Sequence, residues 1–351
     1  MHRSISPPAR VLVTGGAGYL GCVLVPKLLE RGYEVMVLDL LWFGREPLSE
    51  FIDHPRLDLR EGDIRDQALV DQLLASFKPD AVIHLAAISN DPSSEIDHEL
   101  TRSVNRVALE GVMRAAKAHG VARFLYASSA SVYGIKETED VTEDLSLEPI
   151  TLYARYKAEG EDVLNSLIDE GFCGVSVRAA TVCGVSPRLR LDLTINILTE
   201  HAVNRGEIRV FGGAQMRPNI HIEDLTDLYC ELLTADGDAI NGRAFNVSNR
   251  NASVGALAEM IREVVDPSVA IRVVPTDDLR SYHLSAEKIA RELGYRPRRP
   301  LEDAVRELTA ALKDDRFGDI SRTVYRNVAH MNAHPELWRG SAATQAPEGD
   351  A

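Results

Sequence analysis

The chain has 351 residues, 45% of them hydrophobic and 26% charged, the composition of an ordinary globular protein with length for one or two domains. Its 53 acidic against 39 basic side chains give a formal charge of -14, which disfavours nonspecific attraction to nucleic acid or an anionic membrane but leaves room for a local basic pocket. Cys22, Cys173, Cys183 and Cys230 are scattered without a C-x-x-C pair, so reduced thiols, a cytoplasmic setting and no metal site are expected.

The opening MHRSISPPAR lacks the long apolar region of a signal peptide, and no run approaches about 18 apolar residues, so no membrane span is expected. From about residue 10 to 180, short β-branched runs alternate with helix-period stretches. The strand candidates are RVLVTG, YEVMVLD, LDLREGD, AVIHLAA, RFLYASS and CGVSVRAA, separated by segments such as LVPKLLERG and LEGVMRAAKAHG. That rhythm implies an α/β fold, a Rossmann-like doubly wound parallel sheet covered on both faces. Pro26 falls inside the first helical pattern and is expected to kink it.

After about residue 180 the rhythm changes to loop, helix and strand in SPRLRLDLTINILTEHAVNRGEIRVFGG, and DLTDLYCELLTA reads as a further helix. The expected division is a dinucleotide-binding domain over 1–180 with a return of the chain around 220–250. A smaller α/β substrate lobe is expected over 181–219 and 251–339, with a flexible tail over 340–351.

VLVTGGAGYLG places glycines directly after the first strand and at the start of the first helix. Gly16, Gly18 and Gly21 fit G-x-G-x-x-G, and Gly15, Gly18 and Gly21 fit G-x-x-G-x-x-G. Either spacing lets phosphate oxygens approach main-chain N–H groups at a helix N-terminus, with Tyr19 and Leu20 in the same loop. Asp39 closes the second strand about 20 residues on, where a carboxylate accepts from adenosine ribose hydroxyls. A 2′-phosphate would meet like charge there, so NAD is favoured over NADP, with Arg45 as the nearby cation that could still receive a phosphate. GDIRD sets Asp63 and Ile64 after the third strand for adenine, and Leu85, Ala86 and Ala87 end the fourth with small or apolar side chains. His84 reads as a packed histidine.

ASSASVYG follows the fifth strand, and YARYK comes about two dozen residues later. Tyr153 and Lys157 stand at i and i+4 and share a helix face, with Tyr156 pointing elsewhere. A phenol of pKa about 10 is a poor base at neutral pH, but a neighbouring ammonium favours the phenolate, and each tenfold rise in its acidity takes about 1.4 kcal/mol of such stabilization.

The ordered set TGGAGYLG, Asp39, GDIRD, HLAA, ASSASVYG and Y-x-x-x-K resembles the extended branch of the short-chain dehydrogenase/reductase family, in its NAD-dependent nucleotide-sugar epimerase and dehydratase group. The resemblance covers nearly the whole chain, since RPNIHIEDL and SYHLSAEKIARELGY also look like that branch's substrate half. It implies that Ser129 hydrogen-bonds the reacting oxygen, with Ser128 as rival, that Tyr153 moves the proton, and that Lys157 binds the nicotinamide ribose while lowering the tyrosine pKa. Asn105 either supports the site or is an ordinary polar helix residue.

The same resemblance implies a nucleoside diphosphate sugar as substrate. Arg217 stands where the epimerases carry a phosphate-binding arginine, with Arg280, Arg188 and Arg190 as further cations and Thr181 among the substrate contacts. Dehydratases of the branch carry an Asp-Glu pair shortly after the catalytic hydroxyl residue; here Ala130 and Ser131 stand there, which argues against dehydration. Cys183 has no accompanying histidine of the kind the epimerizing reductases use. The implied activity is epimerization at C4 through a transient 4-keto sugar, with a 4-keto-sugar reductase as alternative. Thr181 and Val182 replace the usual Asn-Pro pair of UDP-galactose epimerases, which points to a different sugar. A homodimer is implied, formed through the helix carrying YARYK and the one before ASSASVYG.

Overall fold

The computed structural model describes residues 5–7, 9–136, 138, 140–276, 281 and 283–339. The six strands read from the sequence form as β1 (Arg10–Thr14), β2 (Glu34–Asp39), β3 (Leu57–Glu61), β4 (Ala81–His84), β5 (Arg123–Ser129) and β6 (Cys173–Ala179). They are followed by β7 (Thr181–Cys183), β8 (Glu207–Phe211), β9 (Met216–His221), β10 (Arg243–Val247), β11 (Arg250–Ser253) and β12 (Ala270–Val274). One seven-stranded sheet runs β10-β6-β5-β4-β1-β2-β3 with every pairing parallel. The order reverses between β1 and β4, the point in such sheets where a ligand crevice opens beyond the strands' carboxyl ends.

Alternation along each strand supplies the two faces. Val11, Val13, Val35, Val37 and Ile83 pack against the helices Gly21–Glu30 and Ile222–Thr234. Leu12, Met36, Leu38, Val82, Phe124 and Tyr126 pack against Gln67–Phe77, Leu109–Ala118 and Leu152–Leu167. Period two on a doubly covered sheet explains why these strands read as nearly continuous apolar runs. The Gly21–Glu30 helix continues through Pro26, which lacks the N–H for an i→i−4 bond.

The seventh strand, β10, comes from the returning chain and pairs with β6. Ile222–Thr234 leads into it, and its last carbonyls are held by a fully buried arginine. Arg123 Nη1 donates to the oxygens of Leu232, Leu233 and Ala235 at 2.5, 2.9 and 3.0 Å. A cation at a helix C-terminus satisfies carbonyls that have no partner within the helix.

A second apolar cluster joins Ile195, Leu198 and Ala202 of Thr194–Arg205 to β8, to Leu257 and Ile261 of Val254–Val265, and to Leu301 and Val305 of Leu301–Lys313. Its strands form two small sheets, β11-β9-β7 and β12-β8. All four cysteines are free and buried. Among the described residues no helix is long and apolar enough to cross a membrane, and no cluster of metal-ligating side chains occurs.

Candidate active site

One cleft, with a cavity volume of about 370 Å³, lies along the carboxyl ends of β1, β2, β4, β5 and β6. Gly15, Gly18, Tyr19, Leu20, Gly21, Asp39, Asp63, Ile64, Leu85, Ala86 and Ala87 line one part, and Ser129, Tyr153, Lys157 and Thr181 line the other. The glycine loop is shaped by close approach. Gly15 has φ +74°, and a Cβ there would lie 2.6 Å from the Ala86 backbone nitrogen, while one on Gly21 would lie 2.4 Å from the Gly16 oxygen. Thus the turn crosses the end of β4 at contact distance and opens the helix N-terminus to the cleft, the cradle a pyrophosphate needs.

Asp39 also holds this loop. Its carboxylate accepts from Ala17 N at 2.9 Å and Leu41 N at 2.8 Å, and burial raises its pKa against those bonds. Arg45, the cation that would favour a 2′-phosphate, pairs instead with Glu61 at 2.8 Å and does not line the cleft. Asp63 is held by Arg65, whose Nε and Nη2 donate at 2.8 and 2.6 Å. The fit is that of a dinucleotide with a free adenosine ribose. His84 accepts or donates through Nδ1 to Thr14 Oγ1 at 2.8 Å, and burial pulls its pKa to about 3, so it remains neutral.

Tyr153 and Lys157 enter the cleft from the first turns of Leu152–Leu167. Thr151 caps that helix by accepting from Ala154 N at 3.2 Å and is itself anchored by donating to Asp91 at 2.5 Å. Tyr153 N donates to Ser94 Oγ at 3.3 Å. Lys157 is buried, with Nζ donating to Ala127 O at 2.6 Å and lying 5.7 Å from the Tyr153 ring centre. Burial pulls its pKa to about 7, partly opposed by Glu161.

The two serines diverge because neighbouring residues of a strand face opposite ways. Ser128 Oγ donates to Glu161 Oε1 at 2.5 Å, and Glu161 is clamped by Arg178, whose Nη1 also donates to the Tyr133 hydroxyl at 2.7 Å. Ser129 Oγ instead accepts from Ser131 N at 3.2 Å and Ser131 Oγ at 2.9 Å, which leaves its own proton to donate into the cleft. Asn105 lies in a π-helical turn, Ser103–Ala108, and grips Ile88 by accepting from its N at 2.8 Å and donating to its O at 2.9 Å. Ile88 lines the cleft, so Asn105 braces the wall without touching the reacting groups.

The cations are distributed differently from the sequence expectation. Arg217, on β9, is not among the residues lining this cleft, and its Nη1 donates to Met216 O at 3.0 Å. Arg280 lies outside the described residues. Arg188 and Arg190 both line the cleft. Trp42, Phe43, Asn90, Tyr229 and Asn327 also line it and carry no recognisable signal in the sequence. Leu225 and Tyr229, spaced i and i+4, are indistinguishable from core positions by periodicity. Asn327 sits far along the chain from every motif.

The description NAD dependent epimerase/dehydratase family belongs to the family model that matches residues 11–248. UDP-glucose 4-epimerase of Corynebacterium glutamicum is 30% identical over 332 residues, covering 87% of this chain and 97% of that protein. A dTDP-glucose 4,6-dehydratase of Actinoplanes is also 30% identical, over 88% of this chain and 98% of its own. Among solved structures, the dTDP-glucose 4,6-dehydratase DesIV of Streptomyces venezuelae, with NAD and TYD bound, superposes with a TM-score of 0.78 at 28% identity, covering 88% of this chain and 98% of that one. With its glycine cradle, strand-end Asp39 and paired Tyr153 and Lys157, the chain belongs to the NAD dependent epimerase/dehydratase family and is an NAD-using enzyme of it.

Proposed function

We propose that the chain epimerizes a nucleoside diphosphate sugar, most simply at C4, through a transient 4-keto sugar. The observation that carries this reading is that Ser129, Tyr153 and Lys157 line the same cleft as the dinucleotide cradle. NAD supplies the hydride acceptor and donor when bound. The Tyr153 phenol oxygen takes the proton of the sugar hydroxyl as that carbon is oxidized and returns it as the ketone is reduced. Ser129 donates to the same sugar oxygen. Protonated Lys157 holds the phenol toward its ionized form, and the Ala127 carbonyl fixes the lysine head in place.

Two positions support epimerization over dehydration. Ala130 is an apolar buried residue and Ser131 spends its hydroxyl on Ser129, so neither supplies the acid and base that loss of water requires. Cys183 is buried, its thiol donates to Ile220 O at 3.4 Å, and burial raises its pKa, which removes it as a second acid or base. Arg217 and Arg280 remain the proposed partners of the substrate diphosphate, and Thr181 the proposed wall contact. The proposed form of the enzyme is a cytoplasmic homodimer through the Leu152–Leu167 and Leu109–Ala118 helices.

The test is incubation with a panel of nucleotide sugars without added cofactor, with products identified by NMR. Inversion at C4 with no stoichiometric change in absorbance at about 340 nm is expected; consumption of added NADH would replace this reading with a reductase. Tyr153→Phe should lose turnover and keep NAD.

A further inference from the structure

Of the two arginines in SPRLRLD, one is neutralized and one is not. Arg190 donates to both carboxylate oxygens of Asp192, at 2.9 and 3.1 Å. Arg188 is 3% exposed, has no carboxylate within ion-pairing distance among the described residues, and its Nε has no hydrogen-bond partner. Its guanidinium lies 3.6 Å from the centre of the Phe43 ring, and Nη2 donates to Asn327 Oδ1 at 2.6 Å. A buried cation that lines a cleft without a counter-ion is costly unless an anion completes it.

The location of Arg188, with its guanidinium over the Phe43 ring, indicates which anion. After Arg190 and Asp192 of its own loop, the groups its charge acts on are Cys22, in the first turn of the Gly21–Glu30 helix, and Asp39, at the end of β2. Both belong to the dinucleotide half, where the helix N-terminus already favours a phosphate. Phe43 follows β2 in the same half.

The chain from the helix Asn327–Ala333 to Leu337 holds this arrangement together. Asn327 Nδ2 donates to Ser89 Oγ at 3.0 Å, and its N–H donates to Asp192 Oδ2 at 3.1 Å. His330 Nε2 lies 2.9 Å from Trp42 O, and Trp42 Nε1 donates to Leu337 O at 3.1 Å. Met331 packs with Ile88, Leu100 and Trp42. The segment therefore bridges the loops that follow β2 and β4, the two strands flanking β1.

We propose that Arg188 binds the pyrophosphate of the dinucleotide, not that of the nucleotide sugar, and that the Asn327–Ala333 helix is a strap whose Asn327 is the positioning residue for Arg188. The proposal rests on NAD binding and not on the reaction being an epimerization, so it is tested by binding alone.

NAD content per chain is measured in purified wild type, Arg188→Met, Arg188→Lys and Asn327→Ala. Titrations of nucleotide-free protein with NAD, ADP, adenosine and UDP follow. One charge-assisted contact is worth roughly 10- to 100-fold in affinity. Arg188→Met should lose that much for NAD and ADP and little for adenosine or UDP, with Arg188→Lys intermediate. Asn327→Ala should weaken NAD and ADP by a smaller factor, and the two changes combined should be no worse than Arg188→Met alone. A purely structural role for Asn327 would weaken adenosine equally and add to the arginine variant. Loss of UDP with NAD retained in Arg188→Met would assign the arginine to the substrate and overturn the proposal, as would unchanged affinities. If Arg188→Met does not fold, Arg188→Lys and Asn327→Ala decide by the same ratio of ADP to UDP affinity.

Discussion

Replacing Lys157 with methionine should make the nucleotide-free protein more stable at neutral pH while abolishing turnover. The reason is the burial that pulls the lysine from its ordinary 10.5 to about 7, with Glu161 opposing only in part. Between those values the unfolded chain binds more protons at this side chain than the folded one does, so stability rises with pH across the window. The contribution is complete above the unfolded pKa and is lost as pH falls toward the folded one. From about pH 9 down to about pH 7 this single group removes ~2 kcal/mol, and at about pH 7 its total cost is ~4 kcal/mol. The variant also leaves the Ala127 carbonyl without its donor at 2.6 Å, which returns ~1 to 3 kcal/mol of that gain. Urea unfolding of wild type and variant at several pH values measures both quantities. The expected result is a shallower pH slope for the variant and a small net gain near neutrality. Parallel slopes would show that the folded lysine keeps its unfolded pKa, and burial would then not be what sets the charge of this side chain.

Ser129→Ala should lower kcat about 100- to 1,000-fold with little change in stability if its hydroxyl donates to the reacting oxygen as proposed. Ser128→Ala should do the reverse, costing ~1 to 2 kcal/mol in chemical denaturation because Glu161 loses a buried donor, with kcat nearly unchanged. Gly15→Ala should abolish NAD retention and lower Tm, because its φ of +74° and the Ala86 nitrogen 2.6 Å from a new Cβ leave no room. Arg123→Met should cost ~3 kcal/mol in urea unfolding by stripping the carbonyls of Leu232, Leu233 and Ala235 of their buried donor. An unchanged midpoint would mean those carbonyls find water instead.

Local chemistry by itself determined the six strands from β1 to β6, the placement of the glycine turn and of Asp39 at strand ends, and the shared face of Tyr153 and Lys157. These are effects of periodicity and short-range geometry: apolar runs on a doubly covered sheet, a turn that only glycine can make, and a helical repeat. The seventh strand, β10, was legible only as a return of the chain around 220–250, because its five residues pair with β6 across a long excursion.

Tertiary packing alone gave Ser129, the serine favoured from the sequence, and its rival Ser128 their different partners, since the face that meets Glu161 depends on which helix covers β5. It also decided the arginines. Arg188 and Arg190 are two residues apart in one short string, but Asp192 neutralizes the second while Asn327, brought from the far end of the chain, holds the first against Phe43. Counter-ions and orphaned buried charges are properties of surfaces folded together from distant segments, and periodicity along the chain carries no record of them.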